Sequence, residues 1–269
     1  MDPSETAAAA DTGRILVERD GALLVITLDR PEKLNGFTPE MAEALARAYT
    51  ELEHDPALRV GVVQANGRAF TAGLDLPRWA ERMRRREDTF PPELVDPFDL
   101  REPRRTKPVV FAVHGLCWTL GIELMLAADI VVASEDASFA QLEVLRGIMA
   151  TGGATVRIAE RAGIGNAMKV LLTGDAFDAR TALAWGLVQE LAPPAETRAR
   201  AAAIARRIAA AAPLAVRETI LSVRAAAEEG PRAAIARLRD VQASLAATED
   251  AAEGVAAFRE RRAPRFSGR

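Results

Sequence analysis

Three short apolar runs, residues 60–64, 108–113 and 130–133, constrain this chain more than any other feature. Each reads as a strand of the fully buried kind, apolar without the alternation of a half-solvated strand. Gly115 follows the second run, and residues 121–128 then read as a buried helix before the third. Strand, turn, helix and strand in that order specify an α/β core.

The flanking segments extend this pattern. Residues 15–17 and 22–28 are apolar and are separated by Asp20-Gly21, a hairpin signal. Thr38-Pro39-Glu40 reads as an N-cap with proline in the first turn. Met41, Ala44, Leu45, Ala48 and Leu52 then recur at helical spacing, which predicts a helix to about His54. Residues 77–106 are charged and proline-rich. They predict a short helix near 77–87 followed by a mobile loop, the sort of insert that often serves as a lid or binding loop. From about 152 onward the chain reads as helical. Ala-rich amphipathic stretches cover 194–212, 213–229, 231–247 and 249–262, punctuated by Pro213 and Gly230-Pro231. Residues 1–12, rich in Ala and Asp, read as a disordered leader.

Composition excludes several function classes. Net charge is -3 and lysine is confined to Lys33, Lys107 and Lys169, which argues against nucleic acid or an anionic membrane as partner. The Arg82–Arg86 cluster reads as a solvated helix face. The one cysteine, Cys117, forms no internal disulfide and reads as a small core residue; no Cys/His cluster has zinc spacing. No signal peptide or apolar run long enough for a membrane span is legible, so a cytoplasmic protein is expected. No GxSxG elbow or GxxxxGK[ST] loop is present, and neither His54 nor His114 has an evident nucleophile partner. Gly163-Ile164-Gly165 follows no strand and is not a dinucleotide fingerprint.

Two carboxylates carry the chemical interest. Glu123 is set in Leu120-Gly121-Ile122-Glu123-Leu124-Met125-Leu126, apolar on every side. It is either on a solvated stripe or a buried carboxyl whose pKa burial has raised, suited to acid–base work. Glu143, in Phe139-Ala140-Gln141-Leu142-Glu143-Val144, is ambiguous in the same way. Addition of water across a double bond needs one group to take a proton and another to give one. Two carboxyls in unlike surroundings can divide that labour. Two glycine turns, Ala72-Gly73-Leu74-Asp75 and Thr119-Leu120-Gly121, are either tight turns alone or a source of backbone N–H donors for an oxyanion. Asp129 reads as a local structural partner at the end of the buried helix.

Taken in order, these residues resemble the crotonase (enoyl-CoA hydratase/isomerase) family over nearly the whole chain. The resemblance is carried by the loop from Asp29 through Arg30, Pro31 and Lys33 to Gly36; by Gly67 through Phe70, Gly73 and Asp75 to Leu76; and by Lys107-Pro108, His114-Gly115, Gly121-Ile122-Glu123-Leu124 and Ala128-Asp129. Leu172-Thr173-Gly174-Asp175, Gly186-Leu187-Val188 and Glu253-Gly254 with Phe258 continue it. It implies an α/β spiral of ββα units over 13–200 and a C-terminal helical region, 201–269, that forms homotrimers or hexamers. It implies an acyl-CoA thioester substrate and no metal or redox cofactor. Glu123 and Glu143 would be catalytic, and the N–H groups of Leu74 and Leu120 would form the oxyanion hole. Arg30, Lys33, Leu34, Ala72, Leu74, Asp75, Leu76, Pro77, Trp118 and Gly121 would contact coenzyme A or substrate. The expected reaction is syn hydration of a 2-enoyl-CoA to a 3-hydroxyacyl-CoA. The alternatives are double-bond isomerisation by the same family, or a catalytically weak acyl-CoA binder. The chain departs from the family's usual pattern in three places. Thr119-Leu120 stand where Gly-Gly is usual, Leu142 replaces a proline, and Met149-Ala150 replace Pro-Gly.

Overall fold

The structure, a computed structural model, describes residues 12–269. The expected leader therefore lies outside the described residues, apart from Thr12. Strands β1 (Arg14–Asp20) and β2 (Leu23–Asp29) pair antiparallel, with Gly21 at φ +60° in the turn between them. β3 (Val60–Ala65), β4 (Val109–Val113), β6 (Ile130–Ser134) and β9 (Glu190–Ala192) continue the sheet in parallel, in the order β1-β2-β3-β4-β6-β9. A second sheet holds β5 (Leu116–Trp118), β7 (Ser138–Ala140) and β8 (Phe177–Asp178).

Helices α1 (Pro39–His54), α2 (Leu76–Arg85), α3 (Leu120–Leu126) and α4 (Ala154–Ala162) complete successive turns of a ββα spiral. In two turns the inner strand is reduced to a single bridge, Phe37 with Leu74 and Thr71 with Cys117. Thr38 caps α1 by accepting from the Met41 N–H, as its sequence position predicts. α5 (Ile164–Thr173), α6 (Ala179–Ala184), α7 (Thr197–Ala209), α8 (Pro213–Glu228), α9 (Pro231–Ala246) and α10 (Glu249–Glu260) follow.

Both faces of β3, β4 and β6 are covered, which is why these strands are apolar without alternation. Phe111, Val113, Val131 and Ala133 face the main core, whereas Val62, Val110, Ala112 and Val132 face α7. The expected boundary at 200/201 falls inside α7. Ala201 and Ala205 are fully buried against the sheet, and their small side chains let the helix lie close, so α7 belongs to the core. Among the described residues no helix is long and apolar enough to cross a membrane.

The segment 87–106 also departs from expectation. It packs onto the core through Phe90, Leu94, Val95 and Phe98. Asp96, itself buried, gathers the N–H groups of Phe98, Leu100 and Arg101. At its end Arg105, 1 % exposed, donates to Asp129, 2.6 Å away, and to the carbonyls of Ala127 and Lys107. Asp129 is thus structural, but its partner is distant in sequence. Arg105→Ala is expected to cost about 3 kcal/mol, the range for breaking a buried, hydrogen-bonded ion pair. Urea denaturation reads this directly. A loss under about 1 kcal/mol, ordinary for an exposed pair, would contradict it.

Candidate active site

Every residue of α3 is buried, so there is no solvated stripe for Glu123 to occupy. Its side chain is 6 % exposed. Glu123 Oε1 accepts from the Gly152 N–H at 2.6 Å and, more weakly, from the Ala154 N–H at 3.4 Å. The Ala154 N–H is left open by the first turn of α4, and Gly152 lies in the turn just before its N-cap, Gly153. Burial raises the Glu123 pKa, opposed by those two N–H groups and by the charge of Arg157.

Glu143 opens a single 3₁₀ turn (Glu143–Arg146) just after β7 and is 9 % exposed. Burial pushes its carboxyl up to about 7, and the negative charge of Glu123 adds to the rise. The two carboxyls, twenty positions apart in the chain, therefore sense one another. In the orientation that satisfies both groups, the Gln141 amide nitrogen donates to both Glu143 oxygens at 3.0 Å.

This arrangement has a stability signature. A folded-state pKa raised from 4.5 to about 7 means that the native protein binds more protons than the unfolded chain between those values. Glu143 is then neutral in its effect at pH 4 and increasingly destabilising as pH rises through 7. Glu143→Gln is expected to make the protein more stable than the parent at pH 8 by on the order of 2–3 kcal/mol, with little difference at pH 4. Denaturant titrations of both proteins across that range check the sign.

The two glycine turns meet. Gly73 has φ +101°, and a Cβ there would lie 1.9 Å from Thr119 Oγ1. Residue 73 must therefore be glycine for both conformational and steric reasons. Thr119 is at φ +50° and donates its N–H to Ala140, tying the start of α3 to β7. Among the described residues, no carbonyl accepts from the N–H of Leu74 or of Leu120. The Leu120 side chain is in the main core, and Leu74 packs against it.

The other expected contact residues divide. Lys33 and Pro77 are exposed, and Leu34, Ala72, Leu76 and Trp118 are half-buried on or beside these turns. Arg30 is 2 % exposed and donates to Asp75 at 2.8 Å and to the Gly36 carbonyl, so it holds the loop. That pairing also occupies the Asp75 carboxylate. Gly121 serves close packing, since a Cβ there would be 2.6 Å from Thr71 Cγ2. Cys117 is fully buried, its thiol pKa raised by burial, which fits a core role.

Sequence reasoning missed Gln141, Gly152 and Arg157. Gly152 is pressed against Glu123: a Cβ there would lie 2.5 Å from Oε2. Arg157 donates to the Asp99 carbonyl at 3.2 Å behind the same turn. The adjacent pair Gly152-Gly153 ahead of a helix was the available signal.

The spiral of ββα turns with helices at its C-terminal end is the fold of the crotonase class. The model of the enoyl-CoA hydratase/isomerase family matches residues 18–269. The protein named 2,3-dehydroadipyl-CoA hydratase in Escherichia coli (strain K12) is 34 % identical, over 95 % of this chain and 99 % of that one. Carnitinyl-CoA dehydratase of Salmonella typhi is 35 % identical, over 93 % of this chain and 97 % of its own. The crystal structure of a probable enoyl-CoA hydratase/isomerase from Mycobacterium abscessus superposes with a TM-score of 0.91 at 46 % identity, covering 97 % of this chain and 100 % of that one. The chain belongs to the enoyl-CoA hydratase/isomerase family.

Proposed function

We propose that this protein adds water to a 2-enoyl-CoA thioester, giving the 3-hydroxyacyl-CoA. The observation that supports the reading is that Glu143 feels the charge of Glu123, the two carboxyls being differently held, while the Leu74 and Leu120 N–H groups find no backbone acceptor among the described residues. In this reading those two N–H groups donate to the thioester oxygen. Charge drawn onto that oxygen makes the β-carbon electrophilic. A water held between the carboxyls attacks it, forming a C–O bond while the π pair shifts toward the thioester as an enolate. One carboxyl takes the proton from water and one returns a proton to the α-carbon, so the protons balance. The substrate is neither oxidised nor reduced, and the scheme calls on no metal or redox cofactor. Lys33, exposed on its turn, is the phosphate contact.

The test is incubation with crotonyl-CoA and longer 2-enoyl-CoAs while the absorbance of the conjugated thioester is followed. Loss of absorbance with formation of a 3-hydroxy product is expected. A protein that leaves every chain length unchanged is not a hydratase. A product with its double bond moved identifies an isomerase instead.

The same proposal includes a cytoplasmic homotrimer, or a hexamer built from two trimers. Exposed apolar side chains on the C-terminal helices, among them Val223, Ile235, Val255 and Phe258, are surface that a second copy would cover. Sedimentation at micromolar concentration is expected to show no stable monomer.

A further inference from the structure

Thr119 is held at φ +50° and ψ −117°, a conformation that a β-branched residue adopts only under strain and that glycine adopts freely. Threonine just before a helix usually caps it through its hydroxyl. Here the side chain caps nothing, and the Ile122 and Glu123 N–H groups go to the Thr119 carbonyl instead. Thr119 Oγ1 is buried and has no hydrogen-bond partner among the described residues. A strained backbone and an unpaired buried hydroxyl both cost stability, and neither returns a contact inside the protein. The tie from the Thr119 N–H to Ala140 would form as well with glycine at this position.

The hydroxyl points across the site. A Cβ on Gly73 would lie 1.9 Å from Oγ1 but 3.4 Å from the Thr119 methyl carbon, so the oxygen is the atom turned toward Gly73. Bond lengths then keep Oγ1 within about 6 Å of the Leu74 nitrogen and about 5 Å of the Leu120 nitrogen. A single acceptor about 3 Å from each of the three atoms spans those distances.

We infer that the Thr119 hydroxyl is a third donor to the thioester oxygen, alongside the N–H groups of Leu74 and Leu120. The inference rests on the hydration reading, which seats that oxygen between the two turns. A hydrogen bond from the hydroxyl strengthens as the oxygen gains negative charge on the way to the enolate, so it favours the transition state over bound substrate. The positive φ is what turns the hydroxyl toward Gly73 rather than back onto the first turn of α3.

Thr119→Gly, Thr119→Val and Thr119→Ser test this with crotonyl-CoA. Glycine relieves the strain, so Thr119→Gly should melt about 2–4 °C above the parent. It should nevertheless lose on the order of 10²-fold in kcat, with KM little changed. Thr119→Val keeps the shape and the strain without the hydroxyl, and should lose as much. Thr119→Ser, which restores the hydroxyl, should recover at least about tenfold of that loss. A second readout is the thioester carbonyl stretch of isotope-labelled butyryl-CoA bound to each protein, which needs no turnover. Its downshift on binding should be smaller in Thr119→Gly and Thr119→Val than in the parent and Thr119→Ser. If no 2-enoyl-CoA is hydrated but the carbonyl shifts follow this pattern, the hydration reading falls and the third donor stands. If hydration proceeds and both Thr119→Gly and Thr119→Val keep kcat within about threefold of the parent, the hydroxyl is no donor and hydration stands. A carbonyl band that is the same in every variant, or butyryl-CoA that binds to none of them, overturns the third donor as well.

Discussion

Glu123→Gln and Glu143→Gln each lower the rate of enoyl-CoA hydration by about 10²–10⁴-fold, the contribution of a positioned acid or base. Substrate affinity should change far less, because neither substitution alters the turns that carry Leu74 and Leu120. The two variants differ in a second respect. Burial is the main cause of the raised Glu143 pKa and the charge of Glu123 the lesser one, so Glu123→Gln should lower the Glu143 midpoint from about 7 only in part. NMR titration of the Glu143 carboxyl carbon reads that shift independently of turnover. Double replacement should cost little more than the worse single one, since groups that act on one water are not additive. A double variant whose loss equals the product of both single losses would mean that the carboxyls act separately, and the shared-water scheme would fall.

How far the site was legible follows from the range of each interaction. Glu123 could be singled out because its neighbours on all sides of the helix are apolar, a purely local fact. That Glu143 meets it is not local. The meeting depends on β5 and β7 lying side by side in parallel, Cys117 opposite Phe139, which brings the end of β7 to the start of α3. The inward pairing of Arg30 is hidden from the sequence for the same reason. A basic residue in a polar loop looks available to a phosphate, but Asp75, forty-five positions later, draws it inward. Proline and charge hid the packing of 87–106, where four well-spaced apolar side chains and one buried aspartate fix the backbone. α7 resembled the helices after it in composition, and its two buried alanines had no pattern that tied them to a particular sheet. By contrast, strands covered on both faces and helices bounded by Thr38, Pro213 and Gly230-Pro231 were readable because caps and continuous apolar runs are written within a few residues.

Gly152→Ala, a change of one methyl group, should inactivate the enzyme nearly as fully as removal of a carboxyl. A Cβ at position 152 would lie 2.5 Å from Glu123 Oε2 and 2.7 Å from its Cδ. No alternative rotamer offers an easy escape, because α3 is buried on every side and Gly121 is already pressed against Thr71 and Cys117. Either the carboxylate swings away from the Gly152 N–H or the turn before α4 retreats. Both outcomes break the 2.6 Å hydrogen bond that aims Glu123. A displacement near 1 Å in a reacting group costs about 10²-fold in rate, and losing the N–H donors removes most of what opposes the burial-driven rise of the Glu123 pKa, leaving only the charge of Arg157. kcat should therefore fall on the order of 10²-fold or more. Stability should fall as well, by about 1–3 kcal/mol as expected for overpacking. Circular dichroism and thermal melting separate this from unfolding, because a folded protein with a collapsed kcat is the expected pair of results. If Gly152→Ala instead keeps most of its activity, Glu123 is not held in place by this turn, and the hydrogen bond from Gly152 has no part in the chemistry.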